Sequence, residues 1–235
     1  MLKVLIVDDN YEYMQNLFNI INENIDNNIK IVKICGDGKT ALEYILNTNL
    51  DIILLDLNIP NINGIEILKV LKEKNLEKNV IVITGESEML LNLIKNNLSV
   101  KQIFIKPFNY QDLMHTFESI INDSLNNEKR SKILKILNVF NFNKSNIGYK
   151  YIEKCITYCV EKNYKSIYKI KDLYKEISLN DNYINELNIS WNISKSIQTM
   201  NRFTDNKTLQ KYFPCNTSPT PKVFINQILN MYYES

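Results

Sequence analysis

The first half of this chain alternates two kinds of segment, and that alternation constrains its fold more than any other feature. Runs dominated by Val, Ile and Leu (LKVLIV from Leu2, IKIVKIC from Ile29, DIILLD from Asp51, VIVIT from Val80, KQIFI from Lys101) are separated by amphipathic stretches at 11–24, 41–47, 65–74, 87–97 and 110–125. Strand-length apolar runs alternating with helix-spaced ones read as βα units around a parallel sheet. The runs are apolar nearly throughout rather than at every second position, so both faces of the sheet are covered. The fold expected for 1–125 is α/β, an open, doubly wound, five-stranded sheet whose ligand site lies beyond the carboxyl ends of the strands.

At those ends stand the residues with chemistry to offer. Asp8 and Asp9 follow the first run, Asp56 the third, Thr84 ends the fourth and Lys106 follows the fifth. Carboxylates gathered at one end of a sheet repel one another unless a cation bridges them, and hard oxygen donors with room for water suit Mg²⁺. A carboxylate so placed can attack a phosphorus centre while Lys106 and Thr84 bind the phosphoryl oxygens; Asp56 is the expected nucleophile. Taken singly, each residue is more ordinarily a turn, a helix cap or a solvated side chain. The ordered set carries the reading.

Past residue 125 the character changes. Residues 126–146 are polar at both ends with a short apolar stretch inside, and read as a linker with some helix. Beyond them helical spacing recurs at 149–162, 167–177, 183–200, 207–212 and 221–233, with prolines at 214, 219 and 221 breaking the chain between the last two. An all-α domain is expected over 147–235. Residues 1–126 carry 11 Lys against 17 Asp and Glu, a balance of −6, whereas 127–235 carry 17 Lys and Arg against 9 acids, a balance of +8. A basic domain joined to an acidic one points to a polyanionic partner for the second half, most often nucleic acid. A helical pair with a long second helix is compatible with helix-turn-helix binding to double-stranded DNA.

Hydrophobic residues at 45% and charged residues at 23% exclude disorder throughout. No run of about 18 apolar residues occurs, and acids interrupt the N-terminus where a signal peptide would still be apolar, so a cytoplasmic protein without membrane contact is expected. The cysteines at 35, 155, 159 and 215 lack zinc or disulfide spacing and read as reduced thiols. His115, without partner residues in sequence, reads as a helix-surface or partly buried side chain.

The motifs VDD, LDLNIPNING, VIVITGE and IFIKPF resemble the receiver domain of two-component response regulators over 1–125. That resemblance implies a flavodoxin-like sheet of order 2-1-3-4-5 and Asp56 as the phosphoacceptor. Asp8, Asp9, Asp56 and the main-chain carbonyl of Asn58 would form the Mg²⁺ site, Lys106 would bind the phosphoryl group, and Thr84 with Phe104 would be the switch pair. It further implies a cis peptide before Pro107, catalysis only of the protein's own phosphorylation and dephosphorylation, a histidine kinase or phosphotransfer protein as donor, and a homodimer when phosphorylated. Gly85 stands where the family usually has Ala.

The second half, through GYKYIEKCI from Gly148, LYKEIS from Leu173, NISWNI from Asn188 and KVFINQILNMY from Lys222, resembles the DNA-binding domain of the stage zero sporulation protein A family. The departure is in the recognition stretch, which has one Lys and no Arg over 182–198, so that family's DNA site is not expected to be read in the same way. Ile184, Leu187, Ile189, Ile193, Ile197 and Met200 are expected on the buried face of this helix. Glu186, Ser190 and Lys195 are candidates for DNA contact. Trp191 reads first as boundary packing and second as an exposed anchor for a base, phosphate or partner. The alternative reading of the chain is a signalling protein whose helical half binds a protein or which competes for phosphate.

Overall fold

The structure is a computed structural model and describes residues 1–25, 28–86, 91–92, 94, 98–180, 185–214 and 218–234. They fall into two compact units, Met1–Asp123 and Ser124–Ser235.

In the first unit β1 (Leu2–Val7), β2 (Ile29–Cys35), β3 (Ile52–Leu55), β4 (Asn79–Thr84) and β5 (Gln102–Ile105) form one parallel sheet in the order β2-β1-β3-β4-β5, as expected. Alternate residues of each strand serve opposite cores. Leu5, Val7, Ile53, Leu55, Val80 and Val82 pack with α2 (Gly38–Asn47) and α3 (Gly64–Glu73) through Ala41, Ile45, Ile67 and Leu68. Val4, Ile6, Ile52, Leu54, Ile81 and Ile83 pack with α1 (Tyr11–Asn24) and α4 (Tyr110–Leu137) through Leu17, Ile21, Leu113 and Phe117. Of the helix expected over 87–97, Leu91, Asn92 and Ile94 are helical and the rest lies outside the described residues.

The segment 126–146, read as a linker, belongs structurally to the second unit. Helix α4 continues to Leu137 instead of ending near 125. The physical reason is the apolar set Ile133, Ile136, Leu137 and Phe140, buried in the second unit's core. Asn141 is tied down as well, its backbone N–H donating to Thr204 Oγ1 (3.0 Å) and its side-chain amide to Phe203 O (2.8 Å).

That unit is helical: α5 (Ile147–Glu161), α6 (Ile170–Asn180), α7 (Glu186–Phe203), α8 (Asn206–Tyr212) and α9 (Pro221–Glu234). Asn146, Asn185 and Asp205 cap α5, α7 and α8 by accepting from first-turn backbone N–H groups. Phe140, Phe213 and Phe224 pack ring to ring at centroid distances of 5.4–5.8 Å. Cys155 and Cys159 lie on the buried side of α5 as free thiols, and burial pushes the Cys159 thiol up to about 12. Cys35 is also free and buried, whereas Cys215 lies outside the described residues.

Candidate functional site

Four strand ends converge as the sheet topology requires. Asp8 follows β1, Asp56 follows β3, Thr84 closes β4 and Lys106 follows β5; Asp8, Asp56 and Thr84 are 3%, 8% and 0% exposed. The Lys106 ammonium donates to Asp8 Oδ2 and to Asp56 Oδ2, each at 2.6 Å. The other carboxylate oxygens are held by the chain: Asp8 Oδ1 accepts from the Asn10 N–H (2.9 Å) and Asp56 Oδ1 from the Asn58 N–H (3.1 Å). Gly64 presses against the backbone behind Asp56, where a Cβ would stand 2.5 Å from the Asp56 carbonyl oxygen, so only glycine fits. The Lys106–Pro107 peptide is cis.

Charge explains the proton affinities. Burial raises the pKa of Asp8 above the ordinary carboxylate value, against the pull of the Lys106 ammonium. Burial alone would lower that of Lys106, but its hydrogen bonds to Asp56 and Asp8 outweigh this and raise it. Two carboxylates and one ammonium leave an excess negative charge among hard oxygen donors, a set that fits a divalent cation such as Mg²⁺. Asp9, expected beside Asp8 in the metal site, is exposed, and no group of three metal-binding side chains converges among the described residues.

One expected pairing is corrected. Thr84 and Phe104 do not share a face of the sheet: the register pairs Thr84 with Ile105 and Ile83 with Phe104. Phe104 joins the core that contains Ile83, Leu113 and Phe117, and stacks on Phe108 at 4.9 Å. Period-two alternation puts Ile103 and Ile105 on the Thr84 side instead, and Ile105 is 43% exposed. A residue passed over in the sequence is Tyr13, whose ring lies 4.3 Å beneath the Lys106 ammonium. Its signal is positional, since Asn10 caps α1 by accepting from the Tyr13 N–H and so sets Tyr13 in the first turn behind the acids. His115 is exposed beside Glu118 (3.3 Å).

The second unit presents another candidate surface along α7. Helix α5 packs so closely on it that a Cβ on Gly148 would stand 2.1 Å from the Asn192 carbonyl oxygen. Ile189, Ile193, Ile197 and Met200 are buried as expected, but Leu187 is 76% exposed. The reason is rotation: at about 100° per residue, Leu187 lies some 200° from Ile189 and joins Trp191 one turn on. Trp191 is 60% exposed, not a boundary residue, and the Lys195 ammonium lies 4.6 Å over its ring. Glu186, exposed, and Ser190, half-buried, line the groove between α6 and α7 with Lys171. Ile184, also expected to be buried, lies outside the described residues.

Comparison with known proteins agrees with both halves. Residues 4–118 match the response regulator receiver domain, and residues 133–231 match "Sporulation initiation factor Spo0A C terminal". Response regulator ArlR of Staphylococcus saprophyticus is 33% identical over 121 residues, 52% of this chain and 53% of the relative. Transcriptional regulatory protein CpxR of Escherichia coli is 30% identical over 140 residues, 57% of this chain and 58% of the relative. The chain thus spans about half the length of the curated relatives it matches. Among solved structures, the REC domain of AraT, a response regulator from Geobacillus stearothermophilus, is 29% identical with a TM-score of 0.46, covering 54% of this chain and 98% of that one. Residues 4–118 therefore belong to the response regulator receiver domains and residues 133–231 to the Spo0A C-terminal domains.

Proposed function

We propose that this chain is a phosphorylation-controlled transcriptional regulator in which Asp56 accepts a phosphoryl group and the helical unit binds double-stranded DNA. The observation that carries the first part is the sharing of one ammonium by the two buried carboxylates of Asp8 and Asp56, each 2.6 Å from Lys106 Nζ.

A carboxylate oxygen of Asp56 attacks the phosphorus of a phosphohistidine on a histidine kinase or phosphotransfer protein; the new P–O bond forms as the P–N bond breaks, and the imidazole leaves. Asp8, Asp9, Asp56 and the Asn58 carbonyl would hold Mg²⁺, which when bound neutralises charge on the transferring phosphoryl oxygens. Lys106 exchanges its contact with the Asp56 carboxylate for one with a phosphoryl oxygen, and Thr84 offers its hydroxyl to another. Lys106 follows directly on β5, so that exchange moves the end of the strand and the surface beyond it, and dimerisation follows. Water attack on the acyl phosphate reverses the modification, so the reactions proposed for the chain are its own phosphorylation and dephosphorylation at Asp56.

DNA binding rests on the basic balance of the second half, the α6–α7 pair and the family of residues 133–231. A second reading, in which α7 docks on a protein, draws on the exposure of Leu187 and Trp191. Incubation of the full chain with a labelled small acyl phosphate and Mg²⁺ tests the first part. The expected result is one phosphoryl group per chain, absent in Asp56→Asn because an amide is a poor nucleophile; undiminished labelling of that variant would overturn the assignment.

A further inference from the structure

The exposed stripe of α7 runs Leu187, Trp191, Lys195, Gln198 and Arg202, at spacings of four, four, three and four residues. In a helix-turn-helix, the N-terminal residues of the second helix reach the base edges in the major groove. Here that end offers Glu186, Leu187, Ser190 and Trp191, and the first cation on the stripe is Lys195. Lys195 is drawn over the Trp191 ring at 4.6 Å, which holds the indole in place. Guanine O6 and N7 call for Arg or Lys, and neither stands at the base-reaching end. What stands there is two large side chains, 76% and 60% exposed.

The floor of the major groove offers an apolar contact at only one base, through the 5-methyl group of thymine. Leu187 and Trp191, four residues apart, are separated by about 6 Å along the helix axis, between one and two base-pair steps of about 3.4 Å. The occupant of this face is a polyanion by charge, because residues 127–235 carry 17 Lys and Arg against 9 acids and Lys171 and Lys195 flank the apolar pair.

We infer that Leu187 and Trp191 select A·T base pairs by packing on thymine methyl groups, with Trp191 a specificity-determining residue. This rests on the DNA-binding reading above and states which sequence is read.

Selection of the phosphorylated full chain from random duplexes, followed by replacement of each thymine in the recovered site by uracil, tests it. Uracil keeps every hydrogen-bonding group and lacks only the methyl. Each contacted methyl is expected to cost roughly fourfold in affinity, and Trp191→Ala, an exposed change that leaves the core intact, should bind more weakly and lose that sensitivity at one position. Sequence-selective binding indifferent to uracil, or equal methyl sensitivity in Trp191→Ala, overturns this inference and leaves DNA binding standing. Failure to bind any duplex at low salt overturns the DNA-binding reading, and this inference with it.

Discussion

The smallest scale at which this protein can be questioned is the ammonium shared by Asp8 and Asp56. Asp8 has a raised pKa, so the folded protein holds its proton more tightly than the unfolded chain does, and the ionised carboxylate opposes folding. That cost is absent below the unfolded value of 3.8 and develops as pH rises to the folded value. Asp8→Asn is therefore expected to be more stable than the parent at pH 7, with the difference vanishing near pH 3; urea denaturation at the two pH values checks it. Lys106 works in the opposite sense. Its raised pKa contributes stability that is complete below 10.5 and is lost as pH rises through the folded value. A less stable Asp8→Asn at pH 7 would mean that its ion pair with Lys106 outweighs the cost of burial.

Among the elements, the contact that tolerates least change is α5 against α7. Gly148 lets the two helices meet backbone to backbone, and a methyl group there would fall 2.1 Å from the Asn192 carbonyl oxygen and 2.8 Å from Ser196 Cβ. No side-chain rotation relieves a clash with a backbone atom. Gly148→Ala is expected to destabilise the second unit by about 2–3 kcal/mol despite the better helix propensity of Ala, read as a lower urea midpoint for the loss of helical circular dichroism. An unchanged midpoint would show that α5 can shift without loss. Any shift of α5 would also move the backbone that positions Trp191.

For the whole molecule, the uneven charge makes the clearest statement. Residues 1–126 carry 11 Lys against 17 acids and 127–235 carry 17 Lys and Arg against 9, so duplex DNA should be attracted by one unit and repelled by the other. Binding of the full chain to random duplex, followed by fluorescence anisotropy, is expected to weaken by about a hundredfold or more between 50 and 200 mM salt, as displaced counterions return to the phosphates. Binding that ignores salt would speak for the protein-docking reading of α7. On the proposed reading, a phosphoryl group on Asp56 would add negative charge to the acidic unit and leave the basic one unchanged.

What the sequence by itself determined was whatever is local and periodic. Unbroken Val, Ile and Leu runs admit little besides a covered parallel sheet, and once the strands are parallel the residues after them must gather at one end, so Asp8, Asp56, Thr84 and Lys106 were legible before any coordinate. Only tertiary structure decided matters of register, rotation and partnership. Phe104 faces away from Thr84 because β4 and β5 pair Thr84 with Ile105. Leu187 faces outward because the rotation of α7 about its axis buries Ile189. Residues 126–137 are helix because Ile133, Ile136 and Leu137 find a core supplied by residues far along the chain. Apolarity says that a side chain will be buried if it can be; which side chains find a neighbour depends on contacts between distant segments, and those exist only once the chain has folded.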